Sequence, residues 1–88
     1  MKFEFDPVKS ANNKIKHGLD FLEAQKLWEN DRVEIPAKTE GERRYAQLGK
    51  IDGVHHTVII TYRGTSNRII SARRSSEKEK AIYEQHTK

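Results

Sequence analysis

The chain contains no cysteine, so neither a disulfide framework nor a thiolate zinc site can hold it together. No stretch approaches the roughly 18 consecutive apolar residues of a membrane helix, and the N-terminus lacks the apolar core of a signal peptide. A cytoplasmic protein is the expectation. Apolar side chains are scarce as well: 34% of the 88 residues are hydrophobic and 34% charged. A domain of this size buries about 60–65% of the surface its unfolded chain exposes, which makes for a thin core. Phe3, Phe5, Phe21, Leu27, Trp28, Ile35, Val58, Ile60, Ile69 and Ile70 are its candidates. No repeat, linker or low-complexity segment interrupts the sequence, so residues 1–88 read as one domain.

Further absences remove whole classes of chemistry. There is no HExxH, no Cys/His spacing and no DxDxDG loop. His55 and His56 are adjacent, so in a strand they point to opposite faces and cannot chelate together. None of the serines lies in a GxSxG elbow, and the glycines are isolated turn or sheet positions rather than a phosphate loop. Neither a metal nor any other cofactor is expected.

Positive charge is what the sequence does supply, and it is concentrated. Residues 1–54 carry ten Lys/Arg and ten Asp/Glu, whereas residues 55–88 carry seven and three. Within the latter, residues 63–74 hold Arg63, Arg68, Arg73 and Arg74 and no acid. Guanidinium groups bind phosphate through a two-pronged fork and stay charged, so such a cluster suits nucleic acid. RNA can be cleaved without a metal: the 2′-hydroxyl attacks the adjacent phosphate while cations stabilise the crowded phosphorane.

Local patterning gives the order β-α-α-β-β-β-β-α. Met1–Phe5 alternates as a strand. Asp6-Pro7 opens a helix to about residue 17, with Val8, Ala11, Asn12 and Ile15 on one face and Gly18 as its stop. Asp20 and Glu23 have capping-box spacing for a second helix, completing a helical hairpin over residues 7–30. Strands follow at Arg32–Pro36, on an edge because of its proline, and at Arg43–Ile51 and Val54–Arg63 around the Asp52-Gly53 turn. A turn over Gly64–Asn67 leads to a strand at Arg68–Arg73, and Ser76 with Glu79 caps a last helix to about Gln85. The expected fold is α+β: an antiparallel meander covered by helices on one face.

Three stretches resemble a known family. Phe5-Asp6-Pro7-x-Lys9 followed by Asn13-x-x-Lys16-His17-Gly18-x-x-Phe21-x-x-Ala24 is similar to the start of BrnT toxins. Arg44-Tyr45-x-x-Leu48-Gly49 resembles their R-Y-x-x-x-G strand, and Arg68-Ile69-Ile70-Ser71-Ala72-Arg73-Arg74 their closing block. The resemblance implies a RelE-like fold and a ribonuclease that arrests translation. It also implies a BrnA-like ribbon-helix-helix antitoxin, expected in a 2:2 complex, which binds operator DNA and represses the operon. The alternative is a non-catalytic basic module that docks an acidic antitoxin segment or nucleic acid.

The catalytic candidates are Arg73, Arg63, Arg44 and His17, with Lys16, Arg74 and Arg68 as RNA contacts. Arg73 and Arg74 must point to opposite faces, and one of them is expected in the cleft. Arg63 faces the same way as Arg68 if it pairs with that residue, and the same way as Arg73 if it pairs with Asn67. Arg44 has Glu40 and Glu42 as ion-pair candidates. His17 ends a helix, where the dipole favours positive charge. Glu79 reads as a cap and Tyr83 as an anchor of the last helix.

Overall fold

A computed structural model describes residues 2–38 and 41–87. Met1, where the expected first strand begins, and Glu40, an expected partner of Arg44, lie outside them. Strand β1 (Lys2–Glu4) leads into helix α1 (Pro7–His17). Asp6 caps α1 by accepting the Val8 and Lys9 amides at 2.8 and 3.4 Å, and Gly18 ends it at φ +76. A 3-10 helix (Glu23–Glu29) follows, then strands β2 (Val33–Ala37), β3 (Arg44–Ile51), β4 (Val54–Arg63) and β5 (Ser66–Arg74), and helix α2 (Glu77–His86).

The five strands form one sheet in the order β1-β5-β4-β3-β2, with β1 parallel to β5 and the other neighbours antiparallel. Pro36 thus falls on an edge strand, where its missing N–H costs no ladder bond. Asp52 and Gly53 turn β3 into β4 at φ +51 and +79, the left-handed geometry of a tight hairpin.

Three expectations are corrected. First, helices cover both faces of the sheet. The pleat puts Val58 and Ile60 on one face, where they pack with Leu19, Phe21, Ala24 and Leu27. Ala46, Leu48 and Ile59 lie on the other face, against Ile82 and Tyr83 of α2. The continuous apolar run Val58-Ile59-Ile60 needs cover on both sides, and α2 supplies the second layer. Second, the hairpin's second limb is a 3-10 helix. The Asp20–Glu23 box forms as expected, with Asp20 Oδ1 accepting the Glu23 amide at 2.7 Å and Glu23 Oε1 accepting that of Asp20 at 3.0 Å. From within the box onward, the buried residues Phe21, Ala24 and Leu27 recur every third position, which a three-residue turn aligns.

Third, α1 faces the sheet with its polar side. Ser10 and Asn13 are buried, whereas Val8 and Ile15 are 67% and 84% exposed. The cause lies in β5, which β1 accompanies only along Ser66–Arg68. The free backbone at Ala72 is completed by Asn13: Nδ2 donates to the Ala72 carbonyl at 2.7 Å, and Oδ1 accepts the Ala72 amide at 3.3 Å. Nδ2 also donates to the Leu19 carbonyl at 2.7 Å, and Ser10 Oγ accepts the Phe21 amide at 2.9 Å. Buried backbone groups require partners, and these two side chains provide them.

Candidate functional site

The sheet face under α2 carries the arginines, and the register explains how. Arg63 pairs with Ser66, so the β4–β5 turn is two residues long, and neither of the expected pairings forms. Thr61 pairs with Arg68, a bulge at Ile59/Ile60 leaves Ile70 unpaired, and Thr57 pairs with Arg73. The bulge restores parity, so Arg63, Arg68 and Arg73 point to the same side. Arg44 joins them: it pairs with Ala37 of the same face, and its register sets it beside Thr61, whose Oγ1 donates to the Arg43 carbonyl at 2.8 Å.

Arg44, Thr61 and Arg68 thus form a row across β3, β4 and β5, with Arg63 one step further toward the turn. Among the described residues, the contacts of α2 reach only as far as Ala46 and Ile59, alongside Leu48, Thr57 and His55, and stop short of this end of the face. Among the described residues, the ion pairs of Arg63 and Arg68 are long: Arg68 stands 3.7 Å from Glu4 and Arg63 4.0 Å from Glu42. The Nε of Arg44 is enclosed and has no hydrogen-bond partner among the described residues. A groove of about 250 Å³ lined by Pro36, Ala37, Arg43, Arg44 and Tyr45 adjoins it.

Arg73 sits on the same face but under α2, and it is held tightly. Its Nη1 and Nη2 donate to Glu79 at 2.7 and 3.0 Å. Glu79 also accepts the Ser76 amide at 2.8 Å and the Thr57 hydroxyl at 3.1 Å. The Arg73 guanidinium, helped by the Ser76 amide, holds the Glu79 carboxyl down at about 2, and the carboxylate in turn raises the Arg73 pKa. A carboxylate so stabilised is a poor base.

The remaining candidates lie elsewhere. Arg74, paired with His56, points to the opposite face and is exposed. Lys16 and His17 are exposed at the end of α1 and line a separate cleft of about 270 Å³ with Lys9, Asn12, Ile70 and Ser71. The structure therefore unites Arg44, Arg63 and Arg68, keeps Arg73 nearby but engaged, and leaves Lys16, His17 and Arg74 apart. His55 pairs with Glu84 at 2.7 Å and meets Tyr83 edge-on, so both anchor α2.

Sequence reasoning missed Glu4. Its alternation with Phe3 and Phe5 was visible, but not that β1 would lie beside β5 and set it opposite Arg68. Among the described residues, no three His, Cys, Asp or Glu side chains gather as a metal-holding group. No described helix is long and apolar enough to cross a membrane.

A comparison with curated proteins returned no match. A family profile described as "Ribonuclease toxin, BrnT, of type II toxin-antitoxin system" matches residues 5–79, which span α1, the 3-10 helix, every strand from β2 to β5 and the start of α2. The chain belongs to the BrnT family, the ribonuclease toxins of type II toxin–antitoxin pairs, whose partner is a protein antitoxin and whose substrate is RNA.

Proposed function

We propose that the chain is a metal-independent endoribonuclease of RelE-like fold, acting on cytoplasmic RNA to arrest translation. Its scissile phosphate sits on the open end of the sheet face, held by Arg44, Arg63 and Arg68. The observation that carries this reading is the row Arg44–Thr61–Arg68 with Arg63 beside it: cations from three adjacent strands face one way, and among the described residues the ion pairs of Arg68 and Arg63 are long, at 3.7 and 4.0 Å. In the proposed reaction the 2′-oxygen attacks phosphorus and its proton passes to Glu4. The 5′-oxygen leaves with a proton from water, and the Glu4 proton passes to the hydroxide that remains, giving a 2′,3′-cyclic phosphate and a 5′-hydroxyl. The arginines stabilise the charge that builds on the phosphorane. Arg73 holds α2 in place, while Arg74, Lys16 and His17 take no part in the chemical step.

The antitoxin in this reading is BrnA-like, with a ribbon-helix-helix part that binds operator DNA. The complex, of 2:2 composition, represses its own operon.

Purified protein incubated with RNA in EDTA tests the mechanism. Cleavage with cyclic-phosphate ends is expected, reduced about 100- to 1,000-fold by Arg44→Ala or Arg68→Ala. Undiminished cleavage by these variants, or abolition by EDTA, refutes it. Growth arrest without RNA cleavage would instead identify a non-catalytic binding module.

A further inference from the structure

Helix α1 is turned so that its apolar side meets solvent. Val8, Ala11 and Ile15 fall within about 60° of one another around the helix axis, opposite the buried Ser10 and Asn13. Val8 and Ile15 are the most exposed large apolar side chains of the helix, at 67% and 84%. Leu22, 68% exposed, lies one residue from Glu23, which is bound to Lys14 of α1 at 2.8 Å. A domain with so few apolar residues has no structural reason to spend them outward.

Charge identifies what covers this stripe. Between Pro7 and His17 the helix contains no acid, while Lys9 and Lys16 flank the stripe on one side and Lys14 on the other. A second copy of the chain would bring like charges together and is disfavoured. An acidic partner is favoured. The small side chain of Ala11, midway between Val8 and Ile15, lets another helix approach closely along the stripe.

We propose that the outer face of α1 is the dock for an acidic amphipathic helix of the antitoxin. Val8, Ala11 and Ile15 form its apolar contact, and Lys9 and Lys16 meet the acidic flank. This rests on family membership, not on the assignment of the arginine face to RNA, and the two fail separately.

The test measures binding of the full-length cognate antitoxin to the chain carrying Val8→Glu and Ile15→Glu, with RNA cleavage followed in parallel. Both replaced residues are exposed, and glutamate is a good helix former. Affinity is expected to fall about 100-fold or more, because two apolar anchors become charges facing like charges. RNA cleavage is expected to continue at the level of the parent chain but to escape neutralisation by the antitoxin. The single change Lys9→Glu, which leaves the stripe intact, is expected to weaken binding about tenfold and to flatten its dependence on salt. Unchanged affinity in both variants overturns the proposal. It is equally overturned if the chain alone sediments as a dimer that Val8→Glu with Ile15→Glu dissociates, since a second copy would then cover the stripe.

Discussion

Arg73 of β5 and Glu79 of α2 clasp the closing helix to the sheet through a forked pair of hydrogen bonds. The same carboxylate completes the capping box with Ser76. One glutamate therefore serves both as the cap of α2 and as its tether, which suits a helix with few large apolar anchors.

The clasp has a pH signature. Glu79 has its carboxyl lowered to about 2 in the folded chain from an ordinary value of 4.5. A depressed carboxyl stabilises the fold above its unfolded value, and that contribution disappears as pH falls through the folded one. With solvent screening part of the interaction, about 1–2 kcal/mol is expected to be lost between pH 5 and pH 2. Thermal unfolding followed across that window should show a decline that Glu79→Gln flattens. A variant curve parallel to that of the parent chain would contradict the assignment.

Arg73→Ala should consequently act on stability before chemistry. Removing the guanidinium leaves Glu79 partly enclosed without its charge partner, at a cost of about 1–3 kcal/mol. Cleavage per folded molecule should fall far less than in Arg44→Ala. Denaturant titration and RNA cleavage on the same preparations separate the two effects. An inactive Arg73→Ala protein of full stability would return Arg73 to the reacting phosphate.

The sequence made local structure legible wherever one residue type forces one geometry. Asp6-Pro7 opened a helix, Asp52-Gly53 a hairpin, Ser76 with Glu79 a cap, and Pro36 marked an edge. Its apolar periodicity misled on α1, because that pattern assumes every helix buries its oily side. Here the demand came from unpaired backbone at Ala72, which only polar side chains satisfy. The site was half legible: four basic positions without acids were plain. Which of them converge depended on a two-residue turn and a bulge, and neither has a sequence mark strong enough to fix parity. Glu4 was hidden for a related reason, since parallel pairing of the first and last strands is a long-range event.

Gly49, the glycine of the R-Y-x-x-L-G segment, tests how closely the 3-10 helix lies on the sheet. A Cβ there would meet Leu27 at 3.0 Å and the Asp31 carbonyl at 3.3 Å. Leu27 is fully buried and has little freedom to move aside. Gly49→Ala should therefore destabilise the chain by about 1–3 kcal/mol, as overpacking does. Gly49→Ala combined with Leu27→Ala should fall short of the sum of the two single losses, because the second change removes the clash. Strict additivity in a denaturant-based double-mutant cycle would show that the two residues do not touch.

Asn13 offers the sharpest test of the inverted helix. It donates to two carbonyls and accepts one amide, all buried. Asn13→Leu has similar volume and suits a helix, so a view based on apolar burial predicts a gain in stability. The backbone account predicts the reverse: three groups lose their partner, at about 2–4 kcal/mol in total. Asn13→Asp should also fail, since a carboxylate cannot donate to the Leu19 and Ala72 carbonyls. Amide hydrogen exchange gives a local readout, with Ala72 exchanging faster in Asn13→Leu while Val58, in the central strand, stays protected. Undiminished stability in Asn13→Leu would mean that α1 is held to the sheet by something other than this side chain.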